Sequence, residues 1–181
     1  MDAKTQIAEG RQPLLAAVDL PENGRIFMVC MQCQTDGQWR GRIHNLYVEQ
    51  PQAFVGLAEA VLKMDGMMDA LDNPQAVTKH RSFLQPAKGR SHNAVVQQAA
   101  RKTVRQYWTE ASLHTTQEDG AVFFIRVRFR QHSSWQGEVT WKQENKTVAF
   151  RSVLELLHLL QSAMERQQAG KAVKAGKEKQ P

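Results

Sequence analysis

Cysteine is scarce in this 181-residue chain: Cys30 and Cys33 are the only two, too few for a disulfide scaffold and in keeping with a reducing compartment. No apolar run approaches the roughly 20 residues that a membrane-spanning helix needs. The opening MDAKTQIAEG has neither a signal nor a transit character. Acidic residues are missing altogether from 73–109, a stretch with seven basic ones. These absences exclude a secreted knot and a helical membrane protein, and they set the expectation of a cytoplasmic chain. What is present, 41% hydrophobic and 23% charged residues, is the balance of a globular protein with one ordinary domain or two small ones.

Charge is unevenly spread. The whole chain carries +6, yet residues 1–72 hold 6 basic and 10 acidic side chains, residues 110–169 hold 7 of each, and residues 170–181 hold 4 basic and 1 acidic. Basicity is therefore concentrated in a connector and a tail, and it favours a partner of opposite sign.

One internal alignment stands out. Shifted by 96 residues and without a gap, 26–46 falls on 122–142, so that Phe27 meets Phe123, Trp39 meets Trp135 and Gly41 meets Gly137. Further along, Phe54 meets Phe150, Glu59 meets Glu155 and Met68 meets Met164. The columns between these identities keep their polarity, as expected of a tandem duplication.

Each copy predicts three strands and a helix. In 122–130, Phe123, Ile125, Val127 and Phe129 alternate with Phe124, Arg126, Arg128 and Arg130, the period of a strand with one buried face. Val139 with Trp141, and Val148 with Phe150, extend the apolar side over two more strands. Ser152 and Glu155 form an S-x-x-E capping box ahead of a helix whose stripe is Val153, Leu157, Leu160 and Met164. Gly56 and Glu59 hold the matching positions in the first copy, ahead of Leu57, Val61, Met64, Met68 and Leu71, so capping explains the repeated glutamate better than catalysis does. Leu154, Leu156 and Leu159 widen the apolar arc of the second helix beyond what a three-stranded sheet buries, so the connector, the other half or a second chain must cover it.

The fold class expected is α+β: a tandem duplication of a β-β-β-α unit, each a three-stranded antiparallel sheet with one helix, in a pseudo-twofold arrangement. Residues 1–24 form an N-terminal segment of unassigned role, 25–72 the first unit and 120–168 the second. Residues 73–119 are the basic connector, with an amphipathic helix over about 93–108 presenting Arg101, Lys102 and Arg105. Residues 169–181 form a disordered basic tail.

Two features carry functional weight. Phe124, Arg126, Arg128 and Arg130, joined across the hairpin by Lys142, form a basic strand face; guanidiniums about 7 Å apart match the phosphate spacing of an extended nucleic-acid strand, and Phe124 could stack a base, the competing reading being a solvated polar face paired with Glu138 and Glu144 or covered by the acidic first half. The repeated W-x-G, Trp39 with Gly41 and Trp135 with Gly137, reads either as a binding loop on both halves or as scaffold, with Trp closing the sheet and Gly admitting a bulge. The C-x-x-C of Cys30 and Cys33 is set against metal by strand geometry, because an odd separation points the two thiols to opposite faces. No metal site, cofactor or paired nucleophile and base emerges from the motifs.

Two family patterns come close. Arg126 and Arg130 as R-x-x-x-R, with Ser134 and Gly137 as S-x-x-G, resemble fragments of the cyclic-dinucleotide-binding PilZ pattern, in which arginines clamp phosphates; His132 or Ser133 stands where that family has Asp or Asn. The order of helix, three strands and helix is similar to the topology of double-stranded-RNA-binding domains, although RSVLELL replaces the lysine cluster at the start of their last helix. The expectation is a non-enzymatic nucleic-acid-binding regulatory or accessory protein contacting phosphates through the strand face, the connector helix and the tail. The alternatives are a protein-interaction or scaffolding module, with a protein partner or a homodimer, and more remotely a nucleotide sensor.

Overall fold

Near-continuous apolar runs mark strands covered on both faces, and IFMVCM (26–31) is such a run. In the computed structural model, which describes residues 15–16, 22–33, 37–78, 83, 103–116 and 120–177, all six of its residues are buried. The elements follow in the order β1 (Leu15–Ala16), β2 (Ile26–Cys33), β3 (Trp39–Asn45), β4 (Gln52–Val55), α1 (Leu57–Leu71), β5 (Thr103–Val104), α2 (Glu110–Thr115), β6 (Ala121–Phe129), β7 (Gln136–Trp141), β8 (Lys146–Phe150) and α3 (Val153–Lys177).

The fold is α+β. Six strands form one antiparallel sheet in the order β4-β3-β2-β6-β7-β8, and β1 pairs separately with β5. Two small sheets are thus replaced by one, because β2 and β6 pair edge to edge and satisfy each other's backbone groups. At the middle of that pairing Met28 faces Phe124, its own counterpart 96 residues on. The registers on either side coincide under the same shift. Met31 pairs with Gly41 and Gly41 with Phe54; Val127 pairs with Gly137 and Gly137 with Phe150.

The repeated glycines are required by this packing. A Cβ on Gly41 would stand 1.9 Å from the Cys30 carbonyl oxygen and 2.7 Å from the Phe54 ring; on Gly137 it would stand 2.0 Å from the Arg126 carbonyl oxygen and 2.9 Å from the Phe150 ring. Both phenylalanines lie flat where a side chain would otherwise project.

Helices α1 and α3 cover one face of the sheet. Phe27, Val29, Met31, Phe123, Ile125 and Val127 meet Met64 and Met68 of α1 and Leu156, Leu160 and Met164 of α3 there. Leu156 is fully buried and Leu159 half-buried, while Leu154 stays 63% exposed, so the sheet and its neighbours absorb most of the wide apolar arc. Each helix start is tied by its glutamate: the Glu59 carboxylate accepts from Val55 N–H at 2.7 Å and the Glu155 carboxylate from Arg151 N–H at 2.8 Å. Ser152 Oγ completes the second cap by accepting from Glu155 N–H at 3.1 Å.

The opposite face is covered by the connector, which departs from the expected helix. Thr103–Val104 is a strand, 105–109 run without helix, and helix begins only at Glu110; residues 93–102 lie outside the described ones. β-Branched and aromatic residues, Thr103, Val104, Tyr107 and Trp108, favour the extended path. That path lets Tyr107 N–H and Trp108 N–H both donate to Leu46 O, at 2.8 and 3.2 Å, and buries Trp108 with Leu113 over Ile26, Met28, Cys30 and Phe124. The apolar N-terminal stretch has a role too, since Leu15 and Ala16 pair with Val104 and Thr103.

At the other end, α3 continues through Lys177, so 169–177 are helical and not disordered; 178–181 lie outside the described residues. Extending an existing helix needs no new nucleus, and Ala and Lys are good helix formers.

Candidate functional site

The basic strand does not present a uniform face. β6 and β7 pair regularly up to Val127 and Gly137, then shift register so that Phe129 faces Gln136. The extra residue, Arg128, reverses the alternation beyond it. Phe129, expected inside, is 52% exposed, and Arg130, expected outside, is only 5% exposed. Three arginines in alternation therefore do not share one surface.

Each of the three has an acidic partner. Arg126 lies 3.6 Å from Glu110 of α2 and 3.5 Å from Glu138 of β7, and Arg128 lies 3.0 Å from the same Glu138. Arg130 reaches across to the first half: its Nε donates to Pro74 O at 2.7 Å, and one terminal nitrogen donates to Asp65 at 3.2 Å and Asp69 at 2.6 Å. Phe124 is stacked beneath the His114 ring, with centroids 4.0 Å apart, and Lys142 Nζ donates to His114 O at 2.8 Å. The connector thus occupies the place where a base would stack. Arg101 and Lys102 lie outside the described residues. Arg105 is exposed, and its guanidinium sits 5.7 Å from the centre of the Tyr107 ring.

The W-x-G elements separate in role. Gly41 and Gly137 admit the phenylalanines described above. Trp39 is half-buried, whereas Trp135 is 5% exposed and its indole N–H donates to Asp65 at 3.3 Å. The PilZ-like fragments are likewise taken up by the fold. The bulge sends Arg126 and Arg130 to opposite faces, and Ser134 Oγ accepts from Val153 N–H at 3.1 Å at the start of α3. Nor does the chain follow the double-stranded-RNA-binding topology, since its second-half strands belong to a six-stranded sheet and the connector enters them from an extended segment. Cys30 is buried and Cys33 half-buried, neither in a disulfide, and no group of three or more His, Cys, Asp or Glu among the described residues could hold a metal ion.

What the geometry does bring together is a cleft of about 170 Å³ between α1 and the first residue of α3, lined by Val61, Leu62 and Asp65 of α1, by Ala76 and Thr78, by Arg130, Ser133, Ser134 and Trp135, and by Val153. Asp65 receives both Arg130 and Trp135, so a buried polar knot rigidifies the cleft. Leu62 on the lining is 71% exposed, and Leu154, which follows the lining residue Val153 in the first turn of α3, is 63% exposed; Thr78, Ser133 and Ser134 add polar groups to the wall. Sequence reasoning missed Asp65 and Asp69, whose only signal is their separation by one helical turn.

Comparison with protein-family models, with curated proteins and with solved structures finds no match for this chain.

Proposed function

We propose that the chain is a recognition module without chemistry of its own, and that the α1–α3 face takes a protein partner. The observation that carries this proposal is the pairing of a preformed cleft with two large exposed aliphatic side chains, Leu62 and Leu154, on the helices that bound it. Removing two leucines from water contributes about 1.5–3 kcal/mol each, enough to repay a good part of the cost of docking.

Nucleic-acid binding through Phe124, Arg126, Arg128, Arg130 and Lys142 is the rival. It would have to displace Glu110 and Glu138 from the arginines and His114 from Phe124. We also infer that the two halves descend from one copied unit, supported by the coincident registers and by the equivalent glycine contacts and glutamate caps.

The test compares the chain with its Leu62→Glu, Leu154→Glu double variant. Both are used as bait, the captured protein is purified, and its affinity for each is measured. A partner whose affinity drops by about tenfold or more in the variant supports the proposal. Binding to mixed RNA or DNA that falls steeply between about 50 and 200 mM salt, and that the double variant retains, would favour the rival.

A further inference from the structure

Each half contains a cavity between its helix and its outer strands, and the two cavities are related by the 96-residue shift. Five wall positions correspond: Gln52 and Val148, Lys63 and Leu159, Gly66 and Ser162, Met67 and Ala163, Ala70 and Arg166. The helix walls of the two hollows correspond, as do Gln52 and Val148, and the rest of each lining does not. The contents differ. The second-half cavity, about 260 Å³, is floored by Phe123, Val139 and Trp141. The first-half cavity, about 430 Å³, is walled by Tyr47, Tyr107 and Arg105, the last two brought in by the connector.

Two independent features of the larger cavity point to a ligand. The first is Gly66. It lies inside α1, where glycine is less favourable than alanine by about 0.5–1 kcal/mol. Unlike Gly41 and Gly137, it has nothing within 4 Å of where a Cβ would stand, so no contact within the protein demands its smallness. Gly66 is solvent-exposed and lies on the cavity wall. The second is Arg105. Lys63, the other cation on the wall, is 2.8 Å from Glu59 and also donates to Ala53 O. Arg105 has no carboxylate partner among the described residues and is laid over the Tyr107 ring. A guanidinium resting on an aromatic face keeps its donor fork available for a phosphate or carboxylate.

We infer that this cavity binds a small aromatic anion, with its charged group on Arg105 and its ring against Tyr107 and the apolar wall of Met67 and Leu71. Its volume falls within the range of small-ligand sites, about 300–1,000 Å³. A nucleoside monophosphate and an aromatic carboxylate share this chemistry. The inference stands apart from the protein-partner proposal, because this cavity and the α1–α3 cleft share no lining residue.

The test is calorimetric titration of the full chain with adenosine monophosphate, guanosine monophosphate and indole acetate, with adenosine and inorganic phosphate as half-ligands. At least one of the three whole ligands should bind, and its half-ligand should bind about tenfold more weakly or worse. Arg105→Gln should weaken binding by about tenfold. Gly66→Leu, which fills the hollow, should abolish it while the circular dichroism spectrum is unchanged. Should Gly66→Leu fail to fold, the exposed Arg105→Gln still decides the question. No binding by any of the three, binding that survives both substitutions, or inorganic phosphate binding as well as the whole ligand would each overturn the inference.

Discussion

The two halves of this protein share an order of elements and most of their strand pairing, and differ in the contacts they build on it. Strand registers up to Val127 and Gly137, the glycines under Phe54 and Phe150, and the glutamate ties at each helix start are the same in both; beyond Val127 the bulge in β6 has no counterpart in β2. The long side chains diverge. The first half supplies Asp65 and Asp69 and receives Arg130 from the second; the connector covers the sheet opposite the helices and opens onto the first-half cavity. Common geometry marks what a small β-β-β-α unit needs in order to fold, and divergence marks the contacts that each half makes with the rest of the chain.

The comparison can be broken most severely at the shared glycines. Gly41→Ala and Gly137→Ala should each cost on the order of 4 kcal/mol, in similar measure, because a Cβ in either place meets a neighbouring strand's carbonyl. Urea denaturation of the two variants measures this, and a large inequality between them would mean that the halves do not depend on their glycines alike.

Next comes the link between halves. Arg130→Met leaves Asp65 without its buried cation and should cost about 3–5 kcal/mol. Asp69→Asn, at a position half open to water, should cost no more than about 1 kcal/mol. If the two variants lost the same stability, Arg130 would be acting as a surface residue and not as a bridge.

The helix starts sharpen the contrast. Gly56 has φ +83° and ψ 149°, a conformation that belongs to glycine, so Gly56→Ala should cost about 1–3 kcal/mol. Its counterpart Ser152 caps through its hydroxyl, and Ser152→Ala should cost about 1 kcal/mol. Melting temperatures of the pair test whether the halves start their helices by different means.

The smallest effect is one of pH. Glu59 is held below the ordinary glutamate range, first by its bond to Lys63 and then by Val55 N–H; Glu155 is held low by Arg151 N–H and then by the Arg151 side chain. Stabilisation from a depressed carboxylate is in force above its unfolded value, about 4.3, and disappears as pH falls through the folded one. Glu59→Gln and Glu155→Gln should each flatten the acid limb of a stability-versus-pH curve slightly, and an unchanged limb would remove the carboxylate from the cap.

Much of the fold is legible in particular residues. The alternation in 122–127, the identities 96 apart and the S-x-x-E box all describe interactions within a few residues or within one unit. The candidate site is far less legible. Arg130 continues the alternation of Arg126 and Arg128, and only the extra residue in β6 turns it inward, toward carboxylates 61 and 65 positions away. Likewise the spacing of Val96, Ala100, Val104 and Trp108 suits a helix, yet the hydrogen bonds at Leu46 and the burial of Trp108 draw its end into an extended path.

By itself the amino-acid order determined the strands, the helix starts and the likeness of the two halves, because those depend on local periodicity and on groups a short distance apart along the chain. The joining of six strands into one sheet, the inward turn of Arg130, the route of the connector and the unequal pair of cavities were decided only by the tertiary structure. Their energies come from surfaces about a hundred residues apart that acquire a partner once the whole chain has closed on itself.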